Sequence, residues 1–219
     1  MEEYFLPNSS KNSSTSHFPS PNEILDVAMP AVCHNATLPC VTSTGRCLDM
    51  DLIAKLWQLS DARAAADAQG DVTRFYHALL MRPLLTEIMQ RYRNISSGQR
   101  DAAAAGASVA AADEFIVYSA HDKTLNSLAI ALGLTQVAAK WTPFASRLVL
   151  ELYKYVGRNS TYQHQYFFRV LFNGVDYTRS LQICKQRHID GVTLCSIDDL
   201  DKYLRTYPTF VDAFNAGAC

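Results

Sequence analysis

The chain has 219 residues, 48% of them hydrophobic, and a formal charge of −1 from 20 basic and 21 acidic side chains. That length and apolar share suit one large domain or two small ones with a packed core. The near-neutral balance, without a run of Lys or Arg, gives no footing to a nucleic-acid or membrane-surface partner, and no apolar stretch reaches the roughly 18 residues that a spanning helix needs.

Residues 1–30 are rich in Ser, Asn and Pro and read as an irregular segment, with no charged-then-apolar leader pattern. Residues 31–97 read as a helical subdomain. It opens on Cys33, Cys40 and Cys47, with "CVTSTGRC" as a small loop. From Asp49 the pattern turns helical: Leu52, Leu56 and Leu59 recur at steps of three and four, beside Ile53 and Trp57, until Gly70. A second helix runs from Asp71 to Tyr92 with Phe75, Leu79, Leu84, Leu85, Ile88 and Met89 as its apolar face, and Pro83 inside it predicts a kink or a restart. Residues 98–113, within "SSGQRDAAAAGASVAAAD", are low in complexity. Alanine favours helix, but nothing there gives a helix a face to bury, so the segment reads as a mobile loop with a short helix as the alternative.

Residues 114–219 carry the α/β signal. "EFIVYSA" is a short apolar run with β-branched and aromatic residues, read as a buried strand. "NSLAIALGL", Asn126 to Leu134, is a helix that meets its stop at Gly133. Strand followed directly by helix is the unit of an α/β sheet. "SRLVLELYKYV" and "YQHQYFFRVLFNGV" are two longer strands joined through "GRNST", and their alternation fits antiparallel strands at a sheet edge. "KQRHIDGVTL" is a short excursion between Cys184 and Cys195. "SIDDLDKYLRTY" is a final helix with Ser196 and Asp199 spaced as a cap.

Six cysteines (Cys33, Cys40, Cys47, Cys184, Cys195, Cys219) are compatible with three disulfides, in a pairing that sequence alone does not set. No zinc-site spacing occurs among them. Asn8, Asn12, Asn35, Asn94 and Asn159 begin N-X-Ser/Thr triplets and are candidate glycosylation sites. Cysteines and triplets together point to the secretory pathway: Golgi or lysosome lumen, or secretion.

The chemistry concentrates where "EFIVYSA" meets His121 and Asp122. In an open α/β sheet, ligands bind beyond the carboxyl ends of the strands, and the helix that follows offers free N–H groups and a dipole that favour an anion such as phosphate. A protonated histidine can donate two hydrogen bonds to that anion. A carboxyl beside a bound phosphate feels a like charge and keeps its proton longer, as a general acid must when it protonates a leaving oxygen. The structural alternative is that Asp122 merely caps the helix and His121 fills the loop.

"VYSAHDKTL" resembles the second signature of the histidine acid phosphatases, branch 2 of the histidine phosphatase superfamily. The likeness continues in "TPFASRLVLELY", in "FRVLFNGVDYTRS", in the late cysteines, and upstream in "CHNATLPCVTSTGRCLDMDLIAKLW", so that it spans about Ala31 to Cys219. The tail is most similar to the acid-phosphatase-like branch that includes the phosphoxylose phosphatases of the Golgi. The resemblance implies an α/β sandwich with antiparallel edge strands, of which this chain is the C-terminal portion, and a helical cap over residues 31–97. It implies phosphate binding by His121, proton donation by Asp122, a phosphorylated small molecule or phosphosugar as substrate, and no metal or other cofactor. Lys123 departs from the commoner Thr or Asn after the pair. The disulfides expected are Cys184–Cys195, Cys40–Cys47 and Cys33–Cys219.

The family's first signature, Arg-His-Gly-x-Arg-x-Pro, carries the nucleophilic histidine, and it does not occur here. The lone Arg-His, Arg187-His188, precedes Ile189, and His17, His34, His77 and His164 lack the flanking residues. Without a nucleophile the covalent route is closed. The family's first strands are missing too, so the sheet should be incomplete, exposing an edge that proteins usually avoid. The expectation is therefore a truncated phosphatase, inactive as this chain alone, against the alternative of a non-catalytic lumenal or secreted binding protein. A metal-dependent HD-type phosphohydrolase would need more His and Asp ligands. A serine hydrolase at Ser119 would need a G-x-S-x-G elbow, which is absent.

Overall fold

A computed structural model describes residues 19–41, 44–97, 115–158, 161–162, 165–189 and 191–206. In chain order the described elements are α1 (Pro21–Cys33), α2 (Met50–Gln69), α3 (Asp71–Ser96), α4 (Asp122–Ala131), α5 (Thr135–Ala138), β1 (Leu148–Lys154), β2 (Tyr166–Phe172), β3 (Val175–Asp176), a 3-10 turn (Thr178–Ser180), β4 (Arg187–Ile189), β5 (Val192–Ser196) and α6 (Ile197–Thr206). They divide into two compact units, one drawn from Met1–Asp67 with Ala139–Trp141 and the other from Ala68–Ala138 with Thr142–Cys219.

In the first unit, α1 begins where the sequence reading expected irregular chain. The start signal is local. Ser20 accepts from the Glu23 N–H at 3.3 Å, the Glu23 carboxylate accepts from the Ser20 N–H at 2.6 Å, and Pro21 occupies the first helical position. This reciprocal cap satisfies two donors that a bare helix end leaves open. Leu25, Ala28 and Met29 of α1 pack with Leu48, Ile53 and Trp141. Trp57 meets Trp141 edge to face at 5.2 Å, and the backbone N–H of Trp141 donates to the Asp61 carboxylate at 2.7 Å. Cys40 and Cys47 are joined by a disulfide, and Gly45 turns the loop between them at φ +66°.

The second unit is a mixed helix–strand fold, of the α/β class, with an open sheet. The sheet order is β1-β2-β5-β4, β3 adds to β2, and every pairing is antiparallel. The outer edge of β1 has no partner strand among the described residues. β1 and β2 pair over their full lengths, from Leu148↔Phe172 to Lys154↔Tyr166. Phe168, Val170 and Cys195 face the core, which Leu85, Ile88, Met89 and Tyr92 of α3, Leu128 to Ala131 of α4, and Ile197, Leu200 and Leu204 of α6 complete. On the other face Phe167 is buried beneath Ile189 and Leu194, while Glu151 and Arg169, directly opposite in the ladder, form an ion pair that the Tyr153 hydroxyl joins.

α3 runs through Pro83 without interruption over its 26 residues. α4 begins at Asp122, four residues earlier than its apolar run suggests, and ends as the sequence implies: Gly133 at φ +79° donates to Ile130 and Leu134 donates back to Ala129, a left-handed cap. "KQRHIDGVTL" contributes the hairpin of β4 and β5, tied at its base by the Cys184–Cys195 disulfide. At the start of α6 the Ser196 hydroxyl accepts from the Asp198 N–H, but Asp199 accepts from the Lys185 N–H instead of closing the cap.

"EFIVYSA" is the clearest departure. Residues 115–120 form no strand and are exposed, Phe115 by 87% and Val117 by 73%. The composition favours a strand, but a strand exists only with ladder partners, and among the described residues none lies beside it. The alanine-rich residues 98–113 lie outside the described residues.

Candidate active site

The His121–Asp122 pair sits at the N-terminus of α4. His121 is the N-cap residue, extended at φ −98° and ψ 165°, and its carbonyl accepts from the N–H groups of Thr124 at 3.0 Å and Leu125 at 3.1 Å. Asp122 is the first helical residue rather than the cap, and its Oδ1 accepts from the Lys123 N–H at 2.7 Å. An acidic side chain here complements the positive end of the helix dipole. The imidazole makes no capping bond, and no hydrogen bond to it occurs among the described residues. The N-cap position thus falls to His121 and not to Asp122, whose carboxylate instead bonds the next N–H within the first turn.

What fixes the pair is the other half of the same helix. Ser127 to Ala131 are buried against the core, whereas His121, Asp122 and Lys123 are exposed. One end is thus anchored by packing and the other presents an imidazole, a carboxylate and an ammonium group to solvent. That set can receive an anion and pass a proton to it.

Upstream, the segment is tied down at one point. The Tyr118 hydroxyl donates to Glu87 on α3 at 3.0 Å, and Arg91 holds the same carboxylate oxygen at 3.0 Å. The Arg91 guanidinium, and then the tyrosine hydroxyl, hold the Glu87 carboxyl below its usual range. Burial, then the adjoining Glu87 carboxylate, pushes the Tyr118 hydroxyl upward. This contact lies three residues before His121 and steers the chain into the site. The sequence reading did not single out Glu87 or Arg91. Their four-residue spacing signals an ion pair on a helix, but nothing local links them to a tyrosine 31 positions away.

The remaining candidates are scattered. Cys33 is exposed with a free thiol at the end of α1, and Cys219, its expected partner, lies outside the described residues, as do Asn8, Asn12, Asn159, His17 and His164. Asn35 is exposed after α1, and Asn94 lies in the last turns of α3. His188 of β4 contacts Arg179 at 3.2 Å and Thr193 at 3.0 Å, a structural cluster within the hairpin. Among the described residues no group of three His, Cys, Asp or Glu side chains is gathered to hold a metal. A cavity of about 260 Å³ between α1 and α2 is lined by Met29, Val32, Met50, Ile53, Ala54 and Trp57, with Gln58 as its one polar side chain and no charged group to hold a phosphate.

Residues 76–173 match the histidine phosphatase superfamily (branch 2), a span that includes most of α3, the Tyr118 tether, the His121–Asp122 pair and the β1–β2 hairpin. The chain is 33% identical over 166 residues to 2-phosphoxylose phosphatase 1 of Xenopus tropicalis, covering 74% of this chain and 29% of the relative. It is 30% identical over 185 residues to 2-phosphoxylose phosphatase 1 of Mus musculus, covering 83% and 34%. The zebrafish (Danio rerio) protein of the same name is 26% identical over 194 residues, covering 83% and 37%. The chain thus spans about a third of the length of the curated relatives it matches.

Proposed function

Over residues 76–173 the chain is a histidine phosphatase superfamily (branch 2) sequence, and on that premise we propose that it supplies the phosphate-binding and proton-donating half of a phosphomonoesterase site. The observation that carries the reading is an exposed His-Asp pair at the N-terminus of a helix whose other half is buried. His121 binds the phosphoryl oxygens and stabilises the charge that develops on them, together with the N-terminal N–H groups of α4. Asp122 donates a proton to the leaving oxygen. Lys123 adds positive charge at the mouth of the site. The substrate class is a phosphorylated small molecule, and the names of the relatives favour a phosphosugar. The setting is the lumen of the secretory pathway, where the Cys40–Cys47 and Cys184–Cys195 bridges persist.

Hydrolysis by the covalent route also needs a nucleophile, and these residues contain no Arg-His-Gly. The chain alone therefore binds phosphate without turning substrate over. Titration with inorganic phosphate, followed through the His121 ring signals by NMR, tests the binding half. The signals shift in the native chain, and His121→Ala loses the affinity. Phosphate binding undiminished in His121→Ala refutes the assignment. Joined to a segment bearing the nucleophile signature, Asp122→Asn slows substrates with poor leaving groups more than those with good ones, and equal losses contradict its role as donor.

The missing nucleophile favours one second reading, a lumenal binding protein built on the phosphatase fold. It predicts retention of an intact phosphosugar with Asp122→Asn bound as tightly as the native chain.

A further inference from the structure

Two of the N-X-Ser/Thr triplets fall on described residues, and the structure treats them oppositely. Asn35 follows α1 as the left-handed residue of its C-terminal cap. Its φ is +51°, its N–H donates to Val32 at 3.2 Å, and the Ala36 N–H donates to Ala31 at 2.8 Å. Asparagine is one of the few residues other than glycine that tolerates this conformation, and the cap uses only its backbone. The Asn35 side chain makes no hydrogen bond among the described residues, nor does the Thr37 hydroxyl, and residues 33–37 are all exposed. Asn94, by contrast, lies inside α3 and is half-buried. Its Oδ1 accepts from Gln90 at 3.0 Å, and the Ser96 hydroxyl, the second polar group of that triplet, donates to the Arg93 carbonyl at 2.9 Å.

We propose that Asn35, and not Asn94, is the N-glycan acceptor on the described surface. The transfer joins the Asn35 side-chain nitrogen to the anomeric carbon of a lipid-pyrophosphate-linked oligosaccharide. The carbon–oxygen bond to the pyrophosphate breaks, the lipid pyrophosphate leaves with the bonding pair, and the amide nitrogen gives up one proton. The folded chain accommodates the bulky product where the side-chain amide and the hydroxyl two residues on make no internal bonds and both lie on an exposed surface. Asn35 and Thr37 meet each condition, whereas Asn94 and Ser96 are each engaged within one helix. The proposal rests on entry into the secretory lumen and is independent of the phosphatase reading.

The test directs the full chain into the endoplasmic reticulum of cultured cells, releases glycans with an N-glycosidase in heavy-oxygen water, and maps the labelled aspartates by mass spectrometry. Label is expected at position 35 and not at position 94. Thr37→Val, which leaves the cap residue untouched, abolishes the label at 35, and Ser96→Ala leaves it unchanged. Label at 94 with 35 bare overturns the proposal, as does a chain bare at both positions.

Discussion

Two segments of this chain have strand-type sequences, Leu148–Lys154 and Phe115–Ala120, and they meet opposite ends. The first pairs with β2 over seven residues and turns its leucines toward the core. The second is exposed and outside the sheet. Intrinsic preference does not separate them, since both are rich in aliphatic and aromatic residues. A partner does: β2 begins 12 residues after β1 ends and pairs with it along its whole length, whereas no strand lies beside Phe115–Ala120 among the described residues. A helix has no such dependence, because its hydrogen bonds are internal. Hence α4 forms immediately after the unpaired segment.

The comparison can be broken most directly by truncating one aromatic on each side. Phe168→Ala empties a fully buried position in β2 and should destabilise the protein by about 3–5 kcal/mol. Phe115→Ala should change stability by less than about 0.5 kcal/mol. Urea unfolding of both variants gives the contrast, and a comparable loss at Phe115 places that segment in the core.

The helix side is sharpened at its C-terminal cap. At Gly133 a Cβ would enter a left-handed position and come within 3.2 Å of the Gln182 Cβ. Gly133→Ala should therefore cost about 1–2 kcal/mol and weaken the anchor that holds His121 and Asp122, seen as a drop in unfolding midpoint.

A smaller effect belongs to the exposed face of the β1–β2 ladder. The Arg169 guanidinium holds the Glu151 carboxyl below its unfolded value of 4.5. A depressed folded pKa gives stability that is present above about pH 4.5 and lost as the pH falls through the lower folded value. The pair is half-exposed, so the loss stays within about 1 kcal/mol. Arg169→Met should flatten that part of the acid titration of stability. An unaltered slope would show that the ion pair contributes nothing to this ladder.

Much of the fold was legible because its signals are local. Gly133 as the stop of α4, the two strands of the hairpin and the helix after Ser196 are all written in neighbouring residues. α1 was equally local, through Ser20, Pro21 and Glu23, yet the surrounding Ser, Asn and Pro masked that cap. The candidate site divides in the same way. The His121–Asp122 junction was visible as a motif. The Tyr118–Glu87–Arg91 tether was not, because it depends on how two segments fold onto each other. Nor could the sequence tell that Phe115–Ala120 would be left without a partner, because a strand's sequence records its preference and not its neighbours.

The central claim is that this chain holds a phosphate and a proton donor but nothing that attacks phosphorus. The most direct measurement is hydrolysis of 4-nitrophenyl phosphate by the purified 219-residue chain under mildly acidic conditions. The predicted result is a rate indistinguishable from that of the His121→Ala, Asp122→Asn double variant. Sustained turnover that the double variant abolishes would contradict it.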